Sequence, residues 1–179
     1  MEKNTLVVNL FAGPGAGKST GAAYIFSKLK MKGLDCEYVS EFAKDKVWEN
    51  NDEVFKSQFY ITGKQVFKIK RCYGKVDIIV TDSPIAIGAQ YLKEDEQKLG
   101  PAILEEFKKY NNLNFFINRV KKHNPNGRSQ TEEEAIKIDE KTKKWLIDND
   151  IFFEIIDGDE GGYDEAVTII ENEIKKVSE

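Results

Sequence analysis

Apolar and polar positions along the chain change their period repeatedly, and each change marks an element. Residues 5–11, TLVVNLF, are a continuous apolar run of strand length, as expected for a parallel strand buried on both faces. Residues 19–33, STGAAYIFSKLKMKG, switch to a helical period that Gly33 ends. DCEYVS (35–40) alternates like a short strand. EFAKDKVWEN (41–50) predicts a helix, and DEVFKSQFYITGKQVFKIKRCYG (52–74) a longer one with Val54, Phe55, Gln58, Phe59, Thr62, Val66 and Ile69 along one side. KVDIIVTDSP (75–84) is the clearest buried strand. GPAILEEFKKYNN (100–112) predicts a helix with Pro101 in its first turn, and LNFFIN (113–118) a strand. A polar loop covers 119–131. The helix after it opens with Thr131 and Glu134 in a capping-box spacing. IFFEIIDG (151–158) is the last strand and YDEAVTIIENEIKKV (163–177) the last helix.

Strands alternating with helices predict an α/β fold: three layers, with a five-stranded parallel sheet covered on both faces and right-handed crossovers. At 179 residues the chain is expected to be one domain. Such sheets collect ligands at the carboxyl ends of their strands.

The segment between the first strand and the first helix suits neither. Gly13, Pro14, Gly15, Ala16 and Gly17 precede Lys18, Ser19 and Thr20. Glycines let successive backbone N–H groups converge on one anion, and the following helix adds its positive end. The spacing is that of a Walker A phosphate loop with Ala12 in place of the first glycine, a variant that requires Ala12 to keep a negative φ. Lys18 is then expected to reach the β- and γ-phosphates of ATP, with the Ser19 hydroxyl on Mg²⁺.

Other polar residues end the strands. Asp82 follows VDIIVT and is expected beside the loop, holding Mg²⁺ with Ser19 or accepting a hydroxyl proton; the competing role is a cap for the helix after Pro84. Glu41 is either a base for the substrate hydroxyl or a first-turn helix carboxylate. Arginine is scarce: three against 24 lysines. Arg119 and Arg128 lie at the exit of the fourth strand and in the loop that follows, where their planar forks suit phosphate oxygens. They predict clamps on a lid over about 119–131, with Gly127 as hinge and Lys121 and Lys122 adding charge. His123 reads as a surface residue. Trp48, Phe55, Phe59 and Tyr60 either stack a planar substrate or fill core, and Gln58 and Gln65 either pair with a base edge or face solvent.

Net charge −4 and a pI near 5.3 disfavour duplex nucleic acid as the main partner. Cys36 and Cys72 fit no metal or redox spacing, and no apolar run is long enough to span a bilayer, so a cytoplasmic protein with reduced thiols is expected.

AGPGAGKST, VSEFAKDKVW, TDSP, NR…NGRSQTEEEA and IDGD, in that order, resemble the small P-loop kinases of the nucleoside, nucleotide and nicotinamide-riboside kinase group, and most closely its compact, often phage-encoded members. The resemblance spans nearly the whole chain. It implies a carboxylate base or Mg²⁺ organiser at Asp82 or Glu41, phosphate-binding arginines in the lid, and approach of Asp157, Gly158 and Asp159 to adenine. Deoxynucleoside kinases carry Glu-Arg-Ser where this chain has Asp82-Ser83-Pro84. The expected activity is ATP-dependent phosphoryl transfer to a hydroxyl or phosphate of a small, nucleoside- or nucleotide-like acceptor. The sequence also admits two alternatives: a kinase acting on nucleic-acid ends or a modified base in DNA, and a slowly hydrolysing nucleotide switch with a protein partner. For the second, the guanine motif Asn-Lys-X-Asp is missing.

Overall fold

The structure is a computed structural model that describes residues 3–120 and 131–178. Five strands, β1 (Leu6–Phe11), β2 (Cys36–Val39), β3 (Ile78–Thr81), β4 (Asn111–Asn118) and β5 (Glu154–Asp157), pair in parallel in the order β2-β3-β1-β4-β5. Every residue of β1 and β3 is buried, so helices cover the sheet on both faces, as the unbroken apolar runs predict. Helix α1 (Lys18–Met31) packs with α7 (Glu160–Ser178). Helices α2 (Phe42–Trp48), α3 (Gln58–Lys70), α4 (Ile87–Gln90) and α5 (Gly100–Lys108) adjoin one another in succession. Helix α6 (Glu132–Asp148) opens with the expected capping box of Thr131 and Glu134. Among the described residues no helix is long and apolar enough to cross a membrane.

The register of β1 fixes the site. Asn9 of β1 lies opposite Thr81 of β3, so the carboxyl ends of these central strands open at one level. The loop after β1 and the Asp82 that follows β3 therefore become neighbours.

Four elements differ from the periodicity. The helix expected over 100–112 stops at Lys108, because Asn111 and Asn112 pair with Leu6 and Val7 of β1 and begin β4. The long helix expected over 52–74 is broken: a 3₁₀ turn, Asp52–Lys56, precedes Ser57, which caps α3 by accepting the Tyr60 N–H. Glu96 secures the break, its carboxylate accepting from Ser57 Oγ and from the Gln58 and Phe59 N–H groups. The buried positions of α3 are then Thr62, Gln65 and Ile69, and Phe59 is 55% exposed. Strand β5 is shorter than expected because the Asn114 side chain donates to the Phe152 carbonyl, taking an acceptor ahead of the ladder. Helix α7 begins before Tyr163 because the Asp159 carboxylate accepts the Gly162 N–H. Ser57→Ala is expected to cost about 1 kcal/mol, lowering the melting temperature by roughly 2–4 °C, as calorimetry would record.

Candidate active site

The glycine-rich loop runs from the end of β1 into α1. Ala12 keeps a negative φ, as the Walker A variant requires; among the described non-glycine residues only Asn50 and Asp150 are positive. Gly17 caps α1 at φ 112°, a conformation in which a Cβ is strained. Gly13 is needed for another reason: a Cβ there would lie 2.7 Å from the Asp139 carboxylate and 3.1 Å from the Ala135 carbonyl, both on α6. Lys18 Nζ folds back over the loop and donates to the carbonyls of Ala12 (2.8 Å) and Gly13 (3.0 Å). Burial pushes its pKa below the usual lysine value, against the pull of Glu41, Asp82 and Asp139.

Elements from the second half of the chain brace the loop. Asp139 accepts the Gly13 N–H at 2.5 Å and Arg119 Nε at 3.0 Å, while Arg119 Nη2 donates to the Pro14 carbonyl at 2.8 Å. Tyr163 of α7 donates to the Gly17 carbonyl at 3.1 Å. Gly158 lies so close that a Cβ on it would meet the Ala16 carbonyl at 2.6 Å, and its N–H donates to the Asn118 carbonyl. Asp157 accepts from Asn118 Nδ2. The strand-end residues Arg119 and Gly158 thus lie against the loop.

A cleft of about 640 Å³ opens beside the loop. Pro14, Gly15, Gly17, Lys18, Ser19 and Thr20 form one end, and Glu41, Asp82 and Ser83 face it from β2 and β3. Asp82 is 2% exposed, and its carboxylate accepts the Glu41 N–H at 3.1 Å. It does not cap the helix after Pro84, whose N-cap position is Ala86 with no side-chain bond. Burial, and next the Asp82 carboxylate beside it, push the Tyr38 phenol's pKa up. Glu41 occupies the N-cap position of α2 without making a side-chain cap bond. Burial raises its pKa above the ordinary carboxylate value, Lys18 opposes this, and the Asp82 charge adds to the rise. Two carboxylates and one ammonium therefore share a water-poor corner. The donor set of Ser19 hydroxyl and Asp82 carboxylate consists of hard oxygens, which fits Mg²⁺.

Of the aromatic residues, Trp48, 80% exposed, and Phe55 line the far end of the cleft with Tyr91; Phe59 and Tyr60 are not among its lining. Gln65, 4% exposed, does not face solvent and is not part of the cleft's lining. It ties β2 to β3, accepting the Phe42 N–H and approaching the Ser40 carbonyl and Thr81 hydroxyl. Gln58 reaches Thr62 on its own helix. Arg128, with Lys121, Lys122, His123 and Gly127, lies outside the described residues. The missed residue is Asp139. Its signal is an acid in the middle of the stripe Ala135, Asp139, Thr142 and Leu146 that α6 buries, a position where an unpaired carboxylate is costly.

A parallel sheet of this order with a glycine-rich loop leading from the central strand into α1 is the α/β P-loop kinase-like fold, as the sequence resemblance implies. The chain belongs to a family described as "AAA domain", whose model it matches over residues 7–164. Among solved structures it is similar to the NadR protein in complex with NR, with a TM-score of 0.64 and 14% identity over 94% of this chain and 50% of that one. It is also similar to shikimate kinase from Bacteroides thetaiotaomicron (TM-score 0.51, 10% identity, 95% of this chain and 98% of that one) and to APE1195 (0.50, 18%, 100% and 99%). The chain spans about half the length of the NadR protein. At these identities the likeness establishes the fold. No curated protein matches the chain.

Proposed function

We propose that this protein is an ATP-dependent kinase that transfers a phosphoryl group to a hydroxyl of a small, nucleoside-like acceptor. The observation that carries the reading is the single cleft with a phosphate loop at one end and the Glu41–Asp82 pair facing it. In this reaction the loop amides and Lys18 hold the triphosphate, Ser19 and Asp82 hold Mg²⁺, and Arg119 and Arg128 grip the moving phosphoryl group. Mg²⁺ would neutralise charge developing between the β- and γ-phosphates. Glu41 accepts the acceptor's hydroxyl proton as the new O–P bond forms; the bond from the γ-phosphorus to the β,γ-bridging oxygen breaks, and ADP leaves with that electron pair. Asp157 and Gly158 approach the base of the donor nucleotide.

The far end of the cleft supports the acceptor class. Trp48, Phe55 and Tyr91 offer faces for a planar ring. The names of two similar structures, a shikimate kinase and a NadR protein bound to NR, agree with a small-molecule acceptor. A melting screen of nucleosides, nucleoside monophosphates and nicotinamide riboside with Mg²⁺ and a non-hydrolysable ATP analogue tests the reading. A true ligand at a hundredfold excess over its dissociation constant stabilises the native state by about 2.7 kcal/mol. Stabilisation by a nucleoside, followed by turnover with ATP, is the expected result. A protein that ignores the ATP analogue is not a kinase.

A further inference from the structure

Asp139 is buried on α6, yet both its oxygens are committed to the glycine-rich loop's surroundings: Oδ1 to the Gly13 N–H, Oδ2 to Arg119 Nε and Nη2. The side chains of Asp139 and Arg119 are each 9% exposed. Arg119 also holds the Pro14 carbonyl through Nη2, which leaves its Nη1 buried without a partner among the described residues. A buried guanidinium N–H with nothing to donate to is costly, and such a donor beside a phosphate loop has an obvious acceptor in a phosphate oxygen. Asp139 also explains why the loop's first glycine is required, since any side chain at Gly13 would strike it.

We propose that Asp139 is a positioning residue of the phosphate site: it clamps the Gly13 amide and the Arg119 fork together so that Arg119 Nη1 is held for the nucleotide's phosphates. The inference rests on the kinase reading only in treating the loop as a nucleotide site. The Arg119–Asp139 pair supplies a directed donor with little net charge, so the binding field is left to Lys18 and the loop amides. Arginine suits the place because its Nε, Nη2 and Nη1 are separate donors in a rigid fork, whereas all three donors of a lysine leave from one nitrogen.

The test is equilibrium binding of ADP and of a non-hydrolysable ATP analogue, both with Mg²⁺, to the full chain and to Asp139→Asn, Arg119→Met, the double variant and Lys18→Ala. Asp139→Asn and Arg119→Met are each expected to bind about tenfold more weakly, through loss of charge-assisted hydrogen bonding. The double variant is expected to be no worse than the weaker single, because both act through one unit. In turnover the nucleotide KM rises and the acceptor KM stays put. Unchanged nucleotide affinity in folded Asp139→Asn, whatever its melting temperature, overturns the proposal, as do losses that multiply in the double variant. If Asp139→Asn does not fold, Arg119→Lys gives the answer: it keeps the charge, is expected to show the same loss, and wild-type affinity there overturns the proposal. Weakened binding in Asp139→Asn by a protein that phosphorylates no acceptor leaves the Asp139 assignment standing while the kinase reading falls. Full affinity in Lys18→Ala removes both.

Discussion

Lys18→Ala is expected to lower kcat about a thousandfold or more, the scale seen when a preorganised cation or donor is removed from a phosphoryl- or acyl-transfer site. The ammonium rests on the Ala12 and Gly13 carbonyls, two acceptors of the loop that a triphosphate would enter. Its charge is partly withdrawn from water in the cleft, so its attraction for phosphate is screened less than on an open surface. Among the described residues no neighbour replaces it: Lys44 lies along the α2 side of the cleft, and Arg119 is tied to Asp139 and Pro14. Single-turnover phosphoryl transfer at saturating nucleotide measures the loss directly. A rate within tenfold of the parent would mean that the loop does not hold the reacting phosphates.

Glu41→Gln is expected to lower kcat by about a hundredfold or more, the usual contribution of a positioned general base, while raising the melting temperature at neutral pH. Both effects follow from one cause. Burial, with the Asp82 charge adding to it, raises the pKa of Glu41 above that of an exposed glutamate. The folded state therefore favours the protonated carboxyl, a contribution to stability that is complete at pH values below the unfolded pKa and disappears as pH rises through the folded one. Above that point the wild type carries a desolvated anion that glutamine lacks, so the variant's advantage grows as pH rises from the unfolded pKa to the folded one, levels off beyond it and vanishes in acid. Activity has the opposite sign, because only the deprotonated group accepts a proton. The acid limb of kcat against pH should lie above the ordinary glutamate range and be absent from the variant's residual activity. Full activity in Glu41→Gln would transfer the base's role to Asp82.

Much of this was legible in the sequence where a local pattern carries the information. The run TLVVNLF followed by GPGAGKST specified β1, the loop and α1, because each feature is decided within a few residues. Thr131 and Glu134 marked the start of α6 for the same reason. Arginine scarcity drew attention to Arg119, but its partner is 20 residues away on α6, and the Gly13 contact of that same partner spans 126 residues. Periodicity holds no record of such pairings. Ser57 was hidden because the helical period runs straight through it, and the carboxylate that fixes the break, Glu96, comes from a distant segment. Gln65 was open to a ligand role until β2 and β3 were seen to share it.

The position of β1 in the middle of the sheet has an evolutionary consequence. What braces the phosphate loop comes from β4, α6 and α7, on one flank of that strand; Glu41, Trp48, Phe55, Asp82 and Tyr91 come from the segments around β2 and β3, on the other. On the kinase reading, substitutions that adapt the chain to a new acceptor fall on scaffolding that the donor's grip does not share. Diversification of substrate can then proceed in one half of the molecule while the other stays under unchanged constraint.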